Sequence, residues 1–434
     1  MGRVIHGRPG RAPDGPYDLV VVGGGAYGAF TALEAARRGL RPLLLERADF
    51  GGATSRNSLR IVHGGLRYLQ SLDLRRFRRS VRERRWMLRT FPDLVRPLRC
   101  VMPLDGRGLR RPAVLRAALA ANDLLSARRN RGLLPDRRIP GGRVLGADAT
   151  RELVPEVPRE GLRGGAVWHD AEMVDASRLL MEVLRWATEG GAVCLNYTEA
   201  EELLVEGGAV RGVAARDRLA GESVRFRSRR VVNCAGPWAG AVARRFDREV
   251  PDLFRPSIAF NLLLEHPLRA EATVAATPPG RGARTYFVRP WKGMALAGTF
   301  HAPRPPDATG ADVRDDEVEA FLDDLRAALP GFAPRAGDVR EVLAGLLPAS
   351  EAGTAELERS PRIHDHGAAG GPAGLFSVRG VKYTTARRVA EETLRKALAA
   401  AGRPCPEPDG VGRPEPRPRP KPRRLLRAAR EAPE

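Results

Sequence analysis

Three glycines behind a short apolar run constrain this chain more than any other feature of its sequence. Residues 19–22 are continuously apolar, which is typical of a strand buried on both faces of a parallel sheet. Gly23, Gly25 and Gly28 follow in G-x-G-x-x-G spacing. The first glycine permits a sharp turn, the second lets the backbone approach a pyrophosphate, and the third lets helix and strand pack closely. This order predicts the start of a dinucleotide-binding βαβ unit.

The next residues complete that unit. Residues 29–38 have the small and apolar side chains of a helix, and Gly39 is a natural stop. The N–H groups at the start of this helix would point at a bound phosphate. A second apolar run, residues 42–45, ends at Glu46, which is 46 − 23 = 23 residues after Gly23. A carboxylate at this distance binds a ribose hydroxyl in such units, so Glu46 is predicted to hold a ribose.

Length and composition limit the class of protein. The chain has 434 residues, of which 43% are hydrophobic, as expected of a soluble protein with two domains. Neither a signal-peptide h-region nor an apolar run of membrane-spanning length is found in the sequence. The four cysteines lack metal-site spacing. A reduced cytoplasmic protein without a metal fits these features.

The formal charge of +21 is less informative than its size suggests. Only four of the 73 basic residues are lysines, so the excess of arginine is a bias of the whole composition. The charge is spread along the chain and no nucleic-acid motif accompanies it, so nucleic acid is not a predicted partner. Residues 403–434 are rich in Pro and Arg and are predicted to form a disordered basic tail.

Further polar motifs follow the βαβ unit. Thr54 and Ser55 could donate hydrogen bonds to a phosphate, and His63 stands beside two flexible glycines. The motifs read HGGLRYL at residues 63–69, LNYTE at 195–199, VVNCAGPW at 231–238 and RGVKYTT at 379–385. With these motifs in this order, residues 17–400 resemble the FAD-dependent glycerol-3-phosphate dehydrogenases, within the wider D-amino-acid-oxidase-like flavoproteins.

This resemblance implies a fold and a cofactor. The expected fold class is α/β, a Rossmann-type FAD-binding domain with an inserted antiparallel-sheet α+β substrate domain, and the expected cofactor is FAD rather than NAD. The expected FAD-binding domain comprises residues 16–100, 148–245 and 335–402. The expected substrate domain comprises residues 101–147 and 246–334.

The motifs also supply the predicted site residues. Those predicted to bind the cofactor are Gly23, Gly25, Gly28, Glu46, Thr54, Ser55, His63, Gly64, Gly236, Gly380 and Thr384. Those predicted to act in catalysis are Arg67, Tyr68, His301 and Lys382. An arginine and a lysine aimed at one small site favour an anionic or strongly polar substrate.

Three positions depart from the family pattern. The histidine of the family's K-G-x-H motif is replaced by Asn261, and the arginine of its G-x-R-P motif by Leu347. The family's G-T-T-D motif ends here in His301, which is the candidate replacement for the missing base because imidazole suits proton transfer near neutral pH. Since a base and a cation are lost, the chain is predicted to reject glycerol 3-phosphate as a good substrate.

The predicted function is that of an FAD-dependent oxidoreductase, which transfers hydride from a small polar or anionic hydroxy compound to the flavin. Two alternatives stay open: an amine or amino-acid oxidase, and a non-catalytic flavoprotein subunit. The electron acceptor is left open between a quinone and oxygen. Residues 74–91 form a basic amphipathic pattern, which fits either a peripheral membrane contact or, as we favour, a helix whose apolar stripe faces the core.

Overall fold

The computed structural model describes residues 12, 15–158, 160–246, 253–280 and 282–408. Its helices are α1 (Ala26–Ala36), α2 (Leu74–Thr90), α3 (Pro112–Leu125), α4 (Ala147–Leu153), α5 (Ala176–Glu189), α6 (Ala239–Phe246), α7 (Asp315–Ala328) and α8 (Ala386–Ala399). Its strands are β1 (Leu19–Val22), β2 (Pro42–Leu45), β3 (Ile61–Val62), β4 (Val95–Leu104), β5 (Arg143–Leu145), β6 (Gly164–Met173), β7 (Val193–Leu195), β8 (Thr198–Glu206), β9 (Ala209–Asp217), β10 (Ser223–Arg227), β11 (Val231–Asn233), β12 (Pro256–Leu264), β13 (Thr273–Ala276), β14 (Tyr286–Trp291), β15 (Met294–Pro303), β16 (Val339–Pro348), β17 (Arg362–Asp365) and β18 (Leu375–Arg379).

A six-stranded sheet of order β17-β18-β11-β1-β2-β7 carries the glycine motif. Strand β1 is buried along its whole length and pairs in parallel with β2 and β11, as its unbroken apolar run predicts. Helix α1 begins at Ala26, three residues before the predicted start, because Gly25 is already its N-cap. The predicted α/β fold class is confirmed.

A largely antiparallel sheet forms the second layer, in the order β16-β12-β15-β14-β13-β4-β6-β3, with β5 on β6. Phe260, Tyr286 and Phe321 belong to one buried cluster on one face of this sheet, where α7 covers it. Side chains alternate between the two faces of a strand, so Asn261 and Phe287 belong to the opposite face. We call that opposite face the open face.

Strand pairing differs from the predicted domain boundaries at four strands. The boundaries at 100, 148 and 335 assign β3, the first part of β4, β6 and β16 to the FAD-binding domain, whereas all four strands pair in the largely antiparallel sheet. Backbone pairing between distant segments leaves no mark on local side-chain pattern, which is why the sequence boundaries missed it. The rest of the division into domains stays a prediction.

Helix α2 packs its apolar stripe inward. Phe77 is fully buried, and Met87 and Leu88 belong to the main core cluster, which is the core-facing arrangement favoured from the sequence. In the part of the chain that the structure describes, no helix is long and apolar enough to cross a membrane. Most of the predicted tail, residues 409–434, lies outside the described residues.

Candidate functional site

The glycine turn is shaped by close backbone approach. Gly23 has φ +104°, and a Cβ there would lie 2.7 Å from the carbonyl oxygen of Cys234. A Cβ on Gly28 would overlap the carbonyl oxygen of Gly23. Of the residues that the structure describes, a Cβ on Gly25 would instead meet only the Ser55 hydroxyl, at 3.2 Å. The first and third glycines are therefore needed by the protein itself, and the second leaves room for a ligand.

Polar groups line the mouth of this turn. Glu46 accepts the Gly24 N–H at 2.7 Å, and Ser55 Oγ accepts the Ala26 N–H at 3.0 Å in the first turn of α1. Thr54 was expected to donate a hydrogen bond to a phosphate. In the structure its hydroxyl donates to the Leu346 carbonyl at 3.3 Å instead. A side-chain-free cradle, a helix N-terminus and a carboxylate together fit the pyrophosphate and ribose of FAD.

Two further predicted segments lie beside the same turn. Gly236 follows β11 with φ +57°, and a Cβ there would meet no atom of the described part of the chain within 4 Å. A Cβ on Gly380 would overlap the ring of Tyr27. The Tyr27 hydroxyl accepts the backbone N–H of Lys382 at 3.0 Å and donates to its carbonyl at 2.8 Å. Thr384 lies in the short turn that follows. Tyr27 fills a variable position of the glycine motif, so sequence reasoning missed it.

The HGG motif is held from beneath by a residue that the motif does not contain. Gly64 donates its N–H to Asp170 Oδ1 at 2.5 Å, and His63 Nδ1 lies 3.5 Å from Asp170 Oδ2. The His63 ring is about half exposed and lies 5.5 Å from the ring of Phe287 on the open face. Asp170 comes from β6, more than 100 residues away, and no sequence signal linked it to this loop.

The predicted catalytic residues Tyr68 and Lys382 are brought together. Lys382 Nζ donates a hydrogen bond to the Tyr68 hydroxyl and lies 4.7 Å from the centre of its ring. The Arg76 guanidinium lies 4.6 Å from the same ring centre. Tyr68 therefore sits between two cations that the aromatic ring attracts.

His301 lies within electrostatic range of two arginines. Burial, first of all, and the positive charges of Arg284 and Arg67 together lower the pKa of His301 to about 3. Among the described residues, its buried Nδ1 atom has no hydrogen-bond partner. Arg284 was missed by sequence reasoning because it stands just before β14 in no recognised motif. Arg67 therefore acts on His301 together with Arg284, whereas the adjacent residue Tyr68 contacts Lys382 and Arg76.

The residues that replace the family's base and cation are built into the fold. Asn261 is buried, donates to the Asn57 carbonyl at 2.8 Å and accepts the Thr299 hydroxyl at 2.8 Å. Leu347 pairs with Ser257 in the sheet. The amide of Asn261 is not basic, so it cannot take a proton from an alcohol. Within the described residues no cluster of metal-ligating side chains occurs.

Comparison with known proteins agrees with this geometry. The family model "FAD dependent oxidoreductase" matches residues 18–394. A glycerol-3-phosphate dehydrogenase of Synechocystis sp. is 31% identical over 408 residues, which cover 90% of this chain and 72% of the relative. Glycerol-3-phosphate dehydrogenase 1 of Mycobacterium bovis is 36% identical over 401 residues, covering 89% and 74%.

A solved structure shows the same fold. The glycerol-3-phosphate dehydrogenase of Bacillus halodurans, complexed with FAD, has a TM-score of 0.67 and 24% identity, over 90% of this chain and 66% of that one. The predicted cofactor, FAD, and the prediction of an enzyme are confirmed by the family. The chain thus belongs to the FAD-dependent oxidoreductases and is an enzyme similar to the glycerol-3-phosphate dehydrogenases.

Proposed function

We propose that this enzyme oxidises a small hydroxy compound that carries an anionic group. The observation that carries the proposal is that the positive charges of Arg67 and Arg284 both act on the buried His301 and lower its pKa. In the described residues neither guanidinium forms an ion pair, and burial together with the charge of Arg67 lowers the pKa of Arg284. Two like charges held close together repel each other. A phosphate or carboxylate between them would remove that repulsion and accept paired hydrogen bonds.

The anionic group would also prepare the base. Without it, the imidazole of His301 is neutral at physiological pH but is a weak base, because its pKa is about 3. An anion bound to Arg67 and Arg284 would cancel the charges that lower this pKa and move it towards the ordinary value. His301 would then accept the hydroxyl proton of the substrate. When bound, FAD supplies the acceptor for the hydride.

Lys382 and Tyr68 would orient the remaining polar end of the substrate. The Lys382 ammonium and the Tyr68 hydroxyl form one hydrogen-bonded pair at the turn that also carries Arg67. A substrate oxygen could accept a hydrogen bond from either group. Holding a reacting group in place in this way lowers the barrier without new chemistry.

Glycerol 3-phosphate is the first compound to test, and we expect it to be a poor substrate. Its phosphate suits the two arginines, but Asn261 provides no base at the family's position, and His301 on the neighbouring strand β15 replaces that base only in part. A missing general base costs roughly two to four decades in rate. The experiment is anaerobic stopped-flow bleaching of the bound flavin by a panel of hydroxy acids and polyol phosphates. The Arg284→Met variant is the control, since it should lose the preference for anions while keeping FAD.

The panel also tests the alternative of an amine or amino-acid oxidase. An amine can be oxidised in its neutral form without a strong base, so peroxide formation with amines or amino acids would favour an oxidase. Fast bleaching by uncharged polyols, unaffected in Arg284→Met, would contradict the anion site.

A quinone acceptor would be reached at a membrane surface, and we propose that α3 and the residues near it provide a peripheral membrane contact. Leu124 is 77% exposed and Leu109 64% exposed, at opposite ends of this region, and Leu72 beyond it is 82% exposed. Arginines surround these leucines in the sequence, and basic amphipathic surfaces bind anionic lipid. Sedimentation with anionic vesicles, but not with neutral ones, supports the contact if Leu124→Glu abolishes it. Equal sedimentation of wild type and variant contradicts it.

A further inference from the structure

Asp170 receives donors from three separate parts of the chain. Its Oδ1 atom accepts the Gly64 N–H at 2.5 Å and Arg84 Nη1 at 3.0 Å. Its Oδ2 atom accepts the indole N–H of Trp168 at 3.2 Å and lies 3.5 Å from His63 Nδ1. Only 4% of Asp170 is exposed. A buried carboxylate needs several hydrogen-bond donors, and here these donors join the HGG loop, α2 and β6 to one side chain.

The support beneath the HGG motif explains one of its glycines. The Arg84 guanidinium is also buried and donates to the His169 carbonyl at 2.7 Å. A Cβ on Gly64 would overlap that guanidinium. Gly64 therefore serves the ion pair of Arg84 and Asp170 as well as any ligand in front of the loop.

Asp170 keeps its charge despite its burial. Burial alone would raise the pKa of this carboxyl, but the hydrogen bond and charge of His63, the charge of Arg84 and the Gly64 N–H together lower the pKa to about 2. The carboxylate is thus ionised throughout the physiological range. An ionised carboxylate can only accept hydrogen bonds.

We propose that Asp170 is a positioning residue that keeps the proton of His63 on Nδ1, so that Nε2 is the atom His63 presents to the flavin site. Nδ1 faces the carboxylate, and the ring lies against Phe287, which places Nε2 on the far side of the imidazole. The tautomer of a histidine is set by the partner of its other nitrogen. This inference concerns the cofactor side of the site and does not depend on the proposed substrate.

The first test observes the tautomer in the FAD-loaded wild-type protein. Long-range ¹H–¹⁵N NMR of the imidazoles distinguishes the two neutral forms, and the chain has only seven histidines. The signal that disappears in His63→Asn belongs to His63. We expect a protonated Nδ1 at alkaline pH. A protonated Nε2 in the wild type would overturn the proposal, whether or not any Asp170 variant folds.

The second test exchanges the acceptor for a donor. In Asp170→Asn the amide oxygen can still accept from Gly64 and Arg84, while its NH₂ group would face His63 and move the proton to Nε2. The variant also leaves the buried charge of Arg84 uncompensated, which favours the more negative, reduced flavin. We expect the reduction equilibrium to shift at least tenfold towards the reduced form, about 30 mV for two electrons.

Asp73→Asn is the matched control. Asp73 caps α2 by accepting the Arg76 N–H at 3.0 Å, so it supports the segment that follows the HGG loop without touching His63. Its change should lower stability and leave both the tautomer and the reduction equilibrium as in the wild type. If Asp170→Asn folds, binds FAD and changes neither quantity, or if Asp73→Asn changes them equally, Asp170 has only a structural role.

Discussion

The low pKa of His301 makes stability depend on pH in a direction that can be measured. In the folded protein this pKa is lowered from 6.5 to about 3, so the fold favours the neutral ring. Between these two values the unfolded chain binds the additional proton. The contribution of His301 to stability is therefore fully present above about pH 6.5 and is lost as the pH falls towards 3.

The size of the effect follows from the two pKa values. At pH 4.5 an unfolded histidine is almost fully protonated, while the folded His301 is almost fully neutral. Each pH unit in this window costs up to about 1.4 kcal/mol. At pH 4.5, two units below the ordinary pKa, the loss of unfolding free energy is therefore roughly 2 to 3 kcal/mol. Because the ring is partly exposed, we expect a loss of about 2 kcal/mol.

The assay compares wild type with His301→Gln, which cannot protonate. Free energies of unfolding by urea are measured at pH 7.5 and 4.5 with saturating FAD. As the pH is lowered from 7.5 to 4.5, the free energy of unfolding of the variant should rise relative to that of the wild type by about 2 kcal/mol. His169, whose pKa is lowered to about 4, destabilises both proteins at low pH and cancels in the difference. Arg284→Met should reduce the effect, since it removes one of the charges. A difference that does not change with pH would refute the reasoning.

Three further outcomes follow from the glycine turn, the lysine and the tail. Purified Gly25→Val should lack flavin absorbance, and its melting temperature should equal that of the flavin-free wild type. Gly28→Ala should lower stability by roughly 1 to 3 kcal/mol because its methyl group overlaps the Gly23 carbonyl; equal melting temperatures of the two flavin-free variants would contradict this. Lys382→Met should keep FAD and slow flavin reduction by one to two decades, as expected for a lost charge-assisted hydrogen bond, and an unchanged rate would remove Lys382 from the site. Deletion of residues 409–434 should leave flavin content and melting temperature unchanged, and loss of FAD would make the tail part of the fold.

The sequence predicted the parts of the fold that are local. The βαβ unit around Gly23 combines a buried strand, a glycine turn and a helix within about thirty residues, and each leaves its own pattern. Membership of β6 and β16 in the largely antiparallel sheet was not predictable in this way. It is decided by pairing with strands far away in the chain, which local periodicity does not encode.

The site shows the same division. Tyr68 and Lys382 were named from motifs, and the structure brings them together. Tyr27, Asp170 and Arg284 were not named, although each contacts or electrostatically influences a residue that was. Each reaches the site from another element and lies at a position that no motif marks. Supporting residues of this kind become visible only when the chain is folded.

The fold also explains why the departures from the family can change the substrate without disturbing the cofactor. Asn261, His301 and Leu347 lie on β12, β15 and β16, which are adjacent in the sheet. In the register of the sheet His301 lies opposite Ala259 and Leu347 opposite Ser257. Residues 257, 259 and 261 share one face of β12, and paired residues point to the same side.

All three replaced positions therefore belong to the open face, within four residues along β12, or about 13 Å. The glycine turn, by contrast, belongs to the six-stranded sheet, and Lys382 follows its strand β18. A change confined to the open face can replace the base and the cation while the glycine turn that binds FAD keeps its shape.

This arrangement also predicts which substitutions should restore activity with glycerol 3-phosphate. Asn261→His together with Leu347→Arg should raise the rate with glycerol 3-phosphate by more than the product of the two single effects, because the two groups act on one bound molecule. Stopped-flow rates for the four proteins measure this, and strictly additive effects would show that the two positions do not share a substrate.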